Sequence, residues 1–244
     1  MRVVESFTGR LVEEGAALVE QATGRGFAVR LLGGVGIRVL LGDRLDPALE
    51  RPYRDIDLLV GRRDARQLEA LLAERGWAPA REFNALNGAR RLLFHDPHGE
   101  AQIDVFVERF EMCHALPLAD GLAAPGPSLP ATDLLLTKLQ IVELNAKDRG
   151  DCQALLAGCD IGDGHRDVDP ARIAALTGAD WGLHHTIEIN LARLREHVPA
   201  GPAEAVEAIA AAMEAVPKSR SWRMRAKIGE RRQWYDDPEE VDRG

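Results

Sequence analysis

The sequence predicts an α+β fold: a mixed β-sheet flanked by helices, followed by a helical C-terminal part. Three observations lead there. Two short β-type runs, 27–32 (FAVRLL) and 55–60 (DIDLLV), alternate with helical periodicity in the N-terminal part of the chain. The segment 91–110 (RLLFHDPHGEAQIDVFVERF) reads as two strands joined by a turn at Asp96-Pro97-His98-Gly99. Beyond it, only helical patterns recur.

The elements follow in order. Residues 9–24 place Leu11, Val12, Ala16, Leu18 and Val19 near a 3.6-residue period and form a helix. The run 27–32 ends in Gly33-Gly34, and 35–42 (VGIRVLLG) begins a helix after that turn. The stretch 43–54 carries two prolines and many charges and is a loop. A strand over 55–60 leaves it, and 64–76 is a helix with Asp64 as N-cap and Gly76 as its stop. Residues 119–131, rich in Ala, Gly and Pro, form a linker. Thr132 or Asp133 caps a helix running through 134–146, and a second helix begins near Asp148 and ends at Gly158. Further helices cover 170–178, 181–197 and 202–216. The expected division is a core over 1–125, a helical part over 126–217 that completes a cleft, and a basic and aromatic tail over 218–244.

Bulk properties narrow the field. With 244 residues, 45% hydrophobic and 29% charged, the chain has the composition of a soluble globular protein. Charges at Arg2, Glu5, Arg10, Glu13 and Glu14 leave no room for a signal-peptide core, and no apolar run approaches the ~20 residues of a membrane span. A cytoplasmic protein without membrane contact is expected. Cys113, Cys152 and Cys159 are odd in number and form no CxxC pair, so neither a disulfide scaffold nor a zinc ribbon is expected. The net charge of −8 argues against a general nucleic-acid binder, but 218–232 holds a local +6, leaving −14 over the rest.

The chemistry-bearing pattern is acidic. Asp55 and Asp57 lie two apart on a strand, so both point to one face, with Cα atoms roughly 6.5–7 Å apart. Ile56 and Leu58 then point into a core. Two carboxylates facing one way repel unless solvated or bridged by a cation. Hard oxygen ligands suit Mg²⁺ or Mn²⁺. The triplet alone says little. Asp occurs 19 times, and a second D-x-D, Asp167-Val168-Asp169, precedes Pro170 and reads as a helix cap.

Context separates the two triplets. Gly33-Gly34 stands between a strand and a helix, where backbone N–H groups can approach a phosphate, although an ordinary turn would look the same. Asp104 sits between Ile103 and Val105 in an apolar strand; it is either a third metal ligand or a surface residue on a half-exposed hairpin. Lys138 stands amid leucines in the next helix, as a phosphate partner or a solvated side chain.

In this order, LLGG (31–34), RDIDLLV (54–60) and QIDVFV (102–107) resemble the nucleotidyltransferases of the DNA polymerase β superfamily. The following segment, TKLQIVELNAKDRGDCQALL (137–156), is similar to that of AbiEii-type nucleotidyltransferases, some of which are toxins of type IV toxin–antitoxin systems. The second glycine stands where many members carry serine, and the loop from Gly34 to Asp55 is longer than in many.

The resemblance implies a nucleotidyltransferase core that transfers a nucleotide from an NTP to an acceptor hydroxyl. Asp55, Asp57 and Asp104 would hold Mg²⁺ or Mn²⁺. Gly33, Gly34, Arg54, Lys138, Asp148 and Asp151 would line the nucleotide site. The acceptor is RNA, tRNA included, a protein or a small molecule, and an antitoxin protein is a candidate partner. The competing readings are a non-catalytic nucleotide- or RNA-binding protein of the same fold, and a small-molecule adenylyltransferase of the aminoglycoside type.

Two further features complete the reading. His95 and His98 flank the hairpin turn and lack further ligands at a fitting spacing, so they are turn residues. The tail interleaves basic residues with Trp222, Trp234 and Tyr235, a combination that suits stacked bases. Arg223, Arg225, Arg231 and Trp222 are its candidate acceptor-binding residues. The alternative is a helix whose tryptophans dock on the body, with Asp236, Asp237, Glu239 and Glu240 offsetting its charge.

Overall fold

Alternating side chains in the strands leave one sheet face wholly apolar and divide the other, and this division positions the site. In the computed structural model, residues 2–196 and 200–237 are described, with side chains from residue 7 onward except at 200 and 201. Glu239 and Glu240 of the tail lie outside the described residues. The N-terminal elements are α1 (Arg2–Gly24), β1 (Val29–Leu32), α2 (Gly33–Leu41), β2 (Asp55–Val60) and α3 (Ala65–Glu74). They continue with β3 (Ala78–Pro79), α4 (Arg81–Asn87), β4 (Arg91–His95) and β5 (Gln102–Val107). After β6 (Phe110–Glu111), β7 (Ala115–Leu116) and α5 (Ala119–Ala123) come α6 (Ala131–Leu139) and α7 (Ala146–Gly158). Then follow β8 (Asp160–Ile161), β9 (Asp167–Val168), α8 (Pro170–Ala179), α9 (Trp181–Arg195), α10 (Ala200–Ala215) and α11 (Arg220–Ile228).

The main sheet has five strands in the order β1-β2-β5-β4-β3. Only β2 and β5 pair in parallel; the other pairs are antiparallel. This is the mixed sheet flanked by helices, followed by helices, that the sequence predicts. On one face Leu31, Ile56, Leu58, Val60, Ile103, Val105 and Phe94 join residues of α1 and α3 in one apolar cluster. On the other face Leu32, Leu59 and Phe106 join α2, α6, α7 and α9 in a second. The rest of that second face carries Asp55, Asp57 and Asp104. No helix among the described residues is long and apolar enough to cross a membrane.

Local differences from the sequence reading have physical causes. The stretch 119–131 contains α5, and its end runs beside β1: Leu31 N–H donates to Pro127 O and Leu129 N–H to Leu31 O, both at 2.9 Å. These bonds cover a sheet edge that would otherwise expose unpaired backbone groups. Pro130, not Thr132 or Asp133, holds the N-cap position of α6. Thr132 Oγ1 instead donates to Asp167 O and accepts from Asp169 N, and Asp133 pairs with Arg172 at 2.7 Å. Asp64 holds the N-cap position of α3 without a side-chain bond.

The expected helix over 134–146 is broken. Asn190 Nδ2 donates to Leu139 O at 2.9 Å and to Ile141 O at 2.7 Å, satisfying carbonyls at the end of α6. Asn145 then caps α7, its side chain accepting from Asp148 N at 3.0 Å. The break has a consequence for charge. In an unbroken helix Lys138 and Asp148 would stand about 15 Å apart along the axis. Here Lys138 Nζ reaches Asp148 Oδ1 at 2.9 Å.

Candidate active site

Strand register brings the acids together. Asp57 and Asp104 are Cα partners across the parallel β2–β5 pair, so their side chains leave the same face. Asp55, two residues before Asp57, shares that face. Ile56 and Ile103, their neighbours on the opposite face, are fully buried. Asp104 is 4% exposed, which removes the reading of it as a surface residue. Burial pushes the Asp57 carboxyl up to about 8, with the Asp55 and Asp104 charges adding to the effect and Lys138 and Lys147 opposing it.

The two glycines make room for this cluster. Leu32 is the Cα partner of Asp57, so the chain leaves β1 beside that carboxylate. Gly33 has φ +62, and a Cβ there would overlap the Asp57 carboxylate. A Cβ on Gly34 would come within 2.8 Å of the Tyr53 ring and collide with the Arg51 guanidinium. Helix α2 begins at Gly33 itself, two residues earlier than the sequence suggests. Its N-terminus, where free N–H groups favour an anion, therefore abuts the acid cluster.

Basic groups flank the acids unevenly. Arg91 of β4 holds Asp104 through a fork: its Nε lies 2.8 and 3.0 Å from the two carboxylate oxygens, and Nη2 also donates to Oδ2. Both side chains of the pair are largely buried. Lys147, at the start of α7, stands 3.9 Å from Asp55. Arg54 is exposed, and among the described residues no ion pair engages it.

A second charged network lies beside the first. Lys138 bridges Asp148 at 2.9 Å and Asp151 at 3.0 Å. Arg51 closes a two-pronged pair on Asp151 at 2.8 and 2.7 Å and stacks over Tyr53 with its Cζ 4.9 Å from the ring centre. Burial opposes the charge on Lys138, but Asp151 and Asp148 outweigh it and raise its pKa. Burial likewise opposes the Asp151 charge, while Arg51 and Lys138 outweigh it and lower its pKa. The structure thus brings Asp55, Asp57, Asp104, Gly33 and Gly34 into one place and Lys138, Asp148 and Asp151 into an adjoining one.

The tail residues are elsewhere. Trp222 meets His184 edge to face at 5.2 Å, and Arg225 stacks over Trp181 at 4.6 Å. Trp181 and His184 belong to α9, so the tail docks on the helical part. Arg223 and Arg231 are exposed. His95 and His98 are exposed at the hairpin turn, where Gly99 N–H donates to Asp96 O at 3.1 Å.

Sequence reasoning missed Arg51, Arg91 and Lys147. Each is one base among 31 Lys and Arg residues, with no local pattern to mark it. Only the strand pairing could have singled out Arg91: it is the Cα partner of Phe106, two residues along β5 from Asp104.

The donor set suits a hard divalent cation in kind: carboxylate oxygens whose repulsion a cation would relieve. It is not a closed cage as it stands. Among the described residues no three His, Cys, Asp or Glu side chains form a group able to hold a metal ion, and the charge of Asp104 is already answered by Arg91.

No family model matches the sequence, and no curated protein matches it. Among solved structures the chain is similar to the lincomycin-bound lincosamide antibiotic adenylyltransferase LnuA, at 14% identity and a TM-score of 0.42 over 57% of this chain and 91% of that one. It is also similar to an antigenic nucleotidyltransferase-like protein from Paracoccidioides brasiliensis, at 14% identity and a TM-score of 0.44 over 86% of this chain and 95% of that one. A tRNA-processing enzyme is similar at 17% identity and a TM-score of 0.29, over 91% of this chain and 59% of that one. At these levels of overlap none of them carries a function over to this chain.

Proposed function

We propose that this chain is a nucleotidyltransferase that moves a nucleotide from an NTP to an acceptor hydroxyl with the help of Mg²⁺ or Mn²⁺. One observation carries the reading: Asp57 and Asp104 face the same way from register-paired parallel strands, with Asp55 beside them and the start of α2 alongside. A buried acid pushed up to about 8 by burial and neighbouring acids is the kind of perturbed group that concentrates at functional sites.

The residues would divide the work as follows. Asp55 and Asp57, joined by Asp104, would hold the cation, which when bound supplies charge neutralisation at the phosphates. The free N–H groups at the start of α2 would donate to the triphosphate, since Gly33 and Gly34 put no side chain in the way. Lys147, 40% exposed at the mouth of the cluster, would add a positive charge there. Lys138, Asp148 and Asp151 would act through one another, fixing α7 and with it Lys147.

On the same reading the acceptor is RNA, tRNA included, and a toxin-like role with an antitoxin partner follows from the AbiEii-type resemblance. The test is incubation with each labelled NTP, Mg²⁺ or Mn²⁺, total RNA and cell extract. Label in RNA supports the reading in full. Label in a small molecule keeps the chemistry and replaces the acceptor. NTP binding without any transfer makes the chain a non-catalytic binder.

A further inference from the structure

Nothing in the local sequence ends α6 where it ends. The residues after it, 140–146 (QIVELNA), contain neither Gly nor Pro, and Gln140, Glu143, Leu144 and Ala146 are good helix formers. The end is imposed from α9. Asn190 is fully buried, and both hydrogens of its amide are spent on the turn, at Leu139 O (2.9 Å) and Ile141 O (2.7 Å). Further along α9, Arg193 Nη1 donates to Val142 O at 2.9 Å and to Asn190 Oδ1 at 3.0 Å. The buried Gln140 in turn accepts from His114 N at 2.8 Å. Each residue from Leu139 to Val142 is therefore held by a group from outside the turn.

The chain then restarts as α7, and the restart decides where Lys147 stands. A helix running on would carry Lys147 about 13.5 Å past Lys138 along the axis of α6. The turn brings the chain back instead: Lys138 pairs with Asp148 and Asp151, and Lys147 lies 3.9 Å from Asp55. We infer that Asn190, with Arg193 beside it, is a positioning residue for nucleotide binding: it imposes the α6–α7 turn and so delivers Lys147 to the triphosphate. The inference rests on the nucleotidyltransferase reading above, in which Lys147 adds a positive charge at the mouth of the cluster. It gives α9, far along the chain from Lys147, a share in the site.

The experiment measures equilibrium binding of each NTP, in Mg²⁺, to the full chain at a temperature where every variant is folded. Asn190→Leu keeps a similar volume and removes both donors. Its melting temperature falls whatever its role, because two carbonyls of the turn lose their partner, so the binding measurement decides. Affinity is expected to fall by on the order of tenfold, the loss of one hydrogen bond to a charged group. Lys147→Met is expected to fall as far, and Asn190→Leu/Lys147→Met no further, since the two residues act through one contact. Should Asn190→Leu not fold, Arg193→Ala, an exposed position, takes its place with a smaller loss that the Lys147→Met background again removes. Losses that multiply in the double variant, or wild-type affinity in either single variant, overturn the inference and leave the functional reading standing. Absence of NTP binding in wild type and variants alike overturns both.

Discussion

Two groups of charges stand side by side in this protein and are built on opposite rules. Around Lys138 the charges alternate: Arg51, Asp151, Lys138 and Asp148 form a chain of opposite partners with contacts between 2.7 and 3.0 Å. At the ends of β2 and β5 like charges are gathered, and the Asp57 carboxyl is pushed up to about 8. Buried networks with every charge answered hold a structure in one arrangement, and they often contribute little beyond that. A cluster that raises its own energy persists only where something else supports it, and such clusters concentrate at sites of function. The sequence reading placed both groups in one nucleotide site. The structure separates them: around Lys138 the charges alternate, whereas Asp57 stands between Asp55 and Asp104, the latter paired with Arg91.

The sharpest test of this contrast is Asp57→Asn. Nucleotidyl transfer is expected to fall by roughly two to three orders of magnitude, as when a group stabilising the transition state is removed. Stability should move the other way. Asp57 is an acid whose folded pKa, about 8, lies above its ordinary value of 3.8. The folded state then binds the proton more tightly, so the stability associated with it is complete below about 4 and is lost as pH rises through about 8. In chelator the wild type should lose stability between pH 5 and 8.5 by an amount that the asparagine variant does not. Parallel melting curves at those two pH values would sink the assignment.

Lys138→Met probes the answered network. It leaves Asp148 and Asp151 with one less cation in a buried place, at a cost of about 3–5 kcal/mol. For a chain of this size that corresponds to a fall in melting temperature of roughly 6–20 °C. Urea denaturation would measure the same loss. A variant as stable as wild type but impaired in NTP binding would return Lys138 to the nucleotide site and erase the distinction between the two groups.

Gly33→Ala carries a smaller effect with an internal control. The left-handed backbone at φ +62 costs an alanine about 1–2 kcal/mol, and the new methyl also overlaps the Asp57 carboxylate. Gly42 has φ +54 and ψ −124 with nothing within 4 Å of an added Cβ, so Gly42→Ala bears a backbone cost of its own without any overlap. The Gly33 variant should lose transfer activity well beyond the Gly42 variant, even where their melting temperatures are close. Equal activities would mean that Asp57 has no need of the space beside Gly33.

Much of this architecture was legible because its signals are local. The two-residue alternation predicts both strands and puts Asp55 and Asp57 on one face; that Asp104 shares it depends on the β2–β5 register. The second D-x-D behaves only in part as its context suggests: Asp169 caps α8, accepting from Ala171 N at 2.8 Å, but Asp167 and Val168 form β9. What escaped depends on partners distant in sequence. The end of α6 is fixed by Asn190, 51 residues from Leu139, and nothing in the leucine-rich run announces it. Arg91 becomes meaningful only when β4 is laid against β5. Helix α4, with Leu86 85% exposed, has too weak an apolar stripe to be read from periodicity.

The tail gives the smallest effect, and it divides residues that the sequence grouped together. Arg223, Arg225, Arg231 and Trp222 were all candidates for acceptor binding on the strength of a local +6. Arg225 is committed to the fold: its guanidinium donates to Gly229 O at 2.7 Å, to Arg232 O at 2.7 Å and to Gln233 O at 3.2 Å while lying over Trp181. Trp222 packs against His184, with Lys218 over its ring at 5.4 Å. Arg223 and Arg231 remain exposed. Arg225→Glu should therefore destabilise the docked tail by about 1.5–3 kcal/mol, the scale of charged hydrogen bonds. Arg223→Glu with Arg231→Glu should change stability by no more than about 0.5 kcal/mol. If the tail meets a nucleic-acid acceptor, the same pair should flatten the salt dependence of acceptor binding, since each lost phosphate contact releases fewer counterions. Comparing both variants by melting and by acceptor binding at two salt concentrations assigns each residue. A pair variant that leaves the salt slope unchanged would make the tail a structural strap over α9 and nothing more.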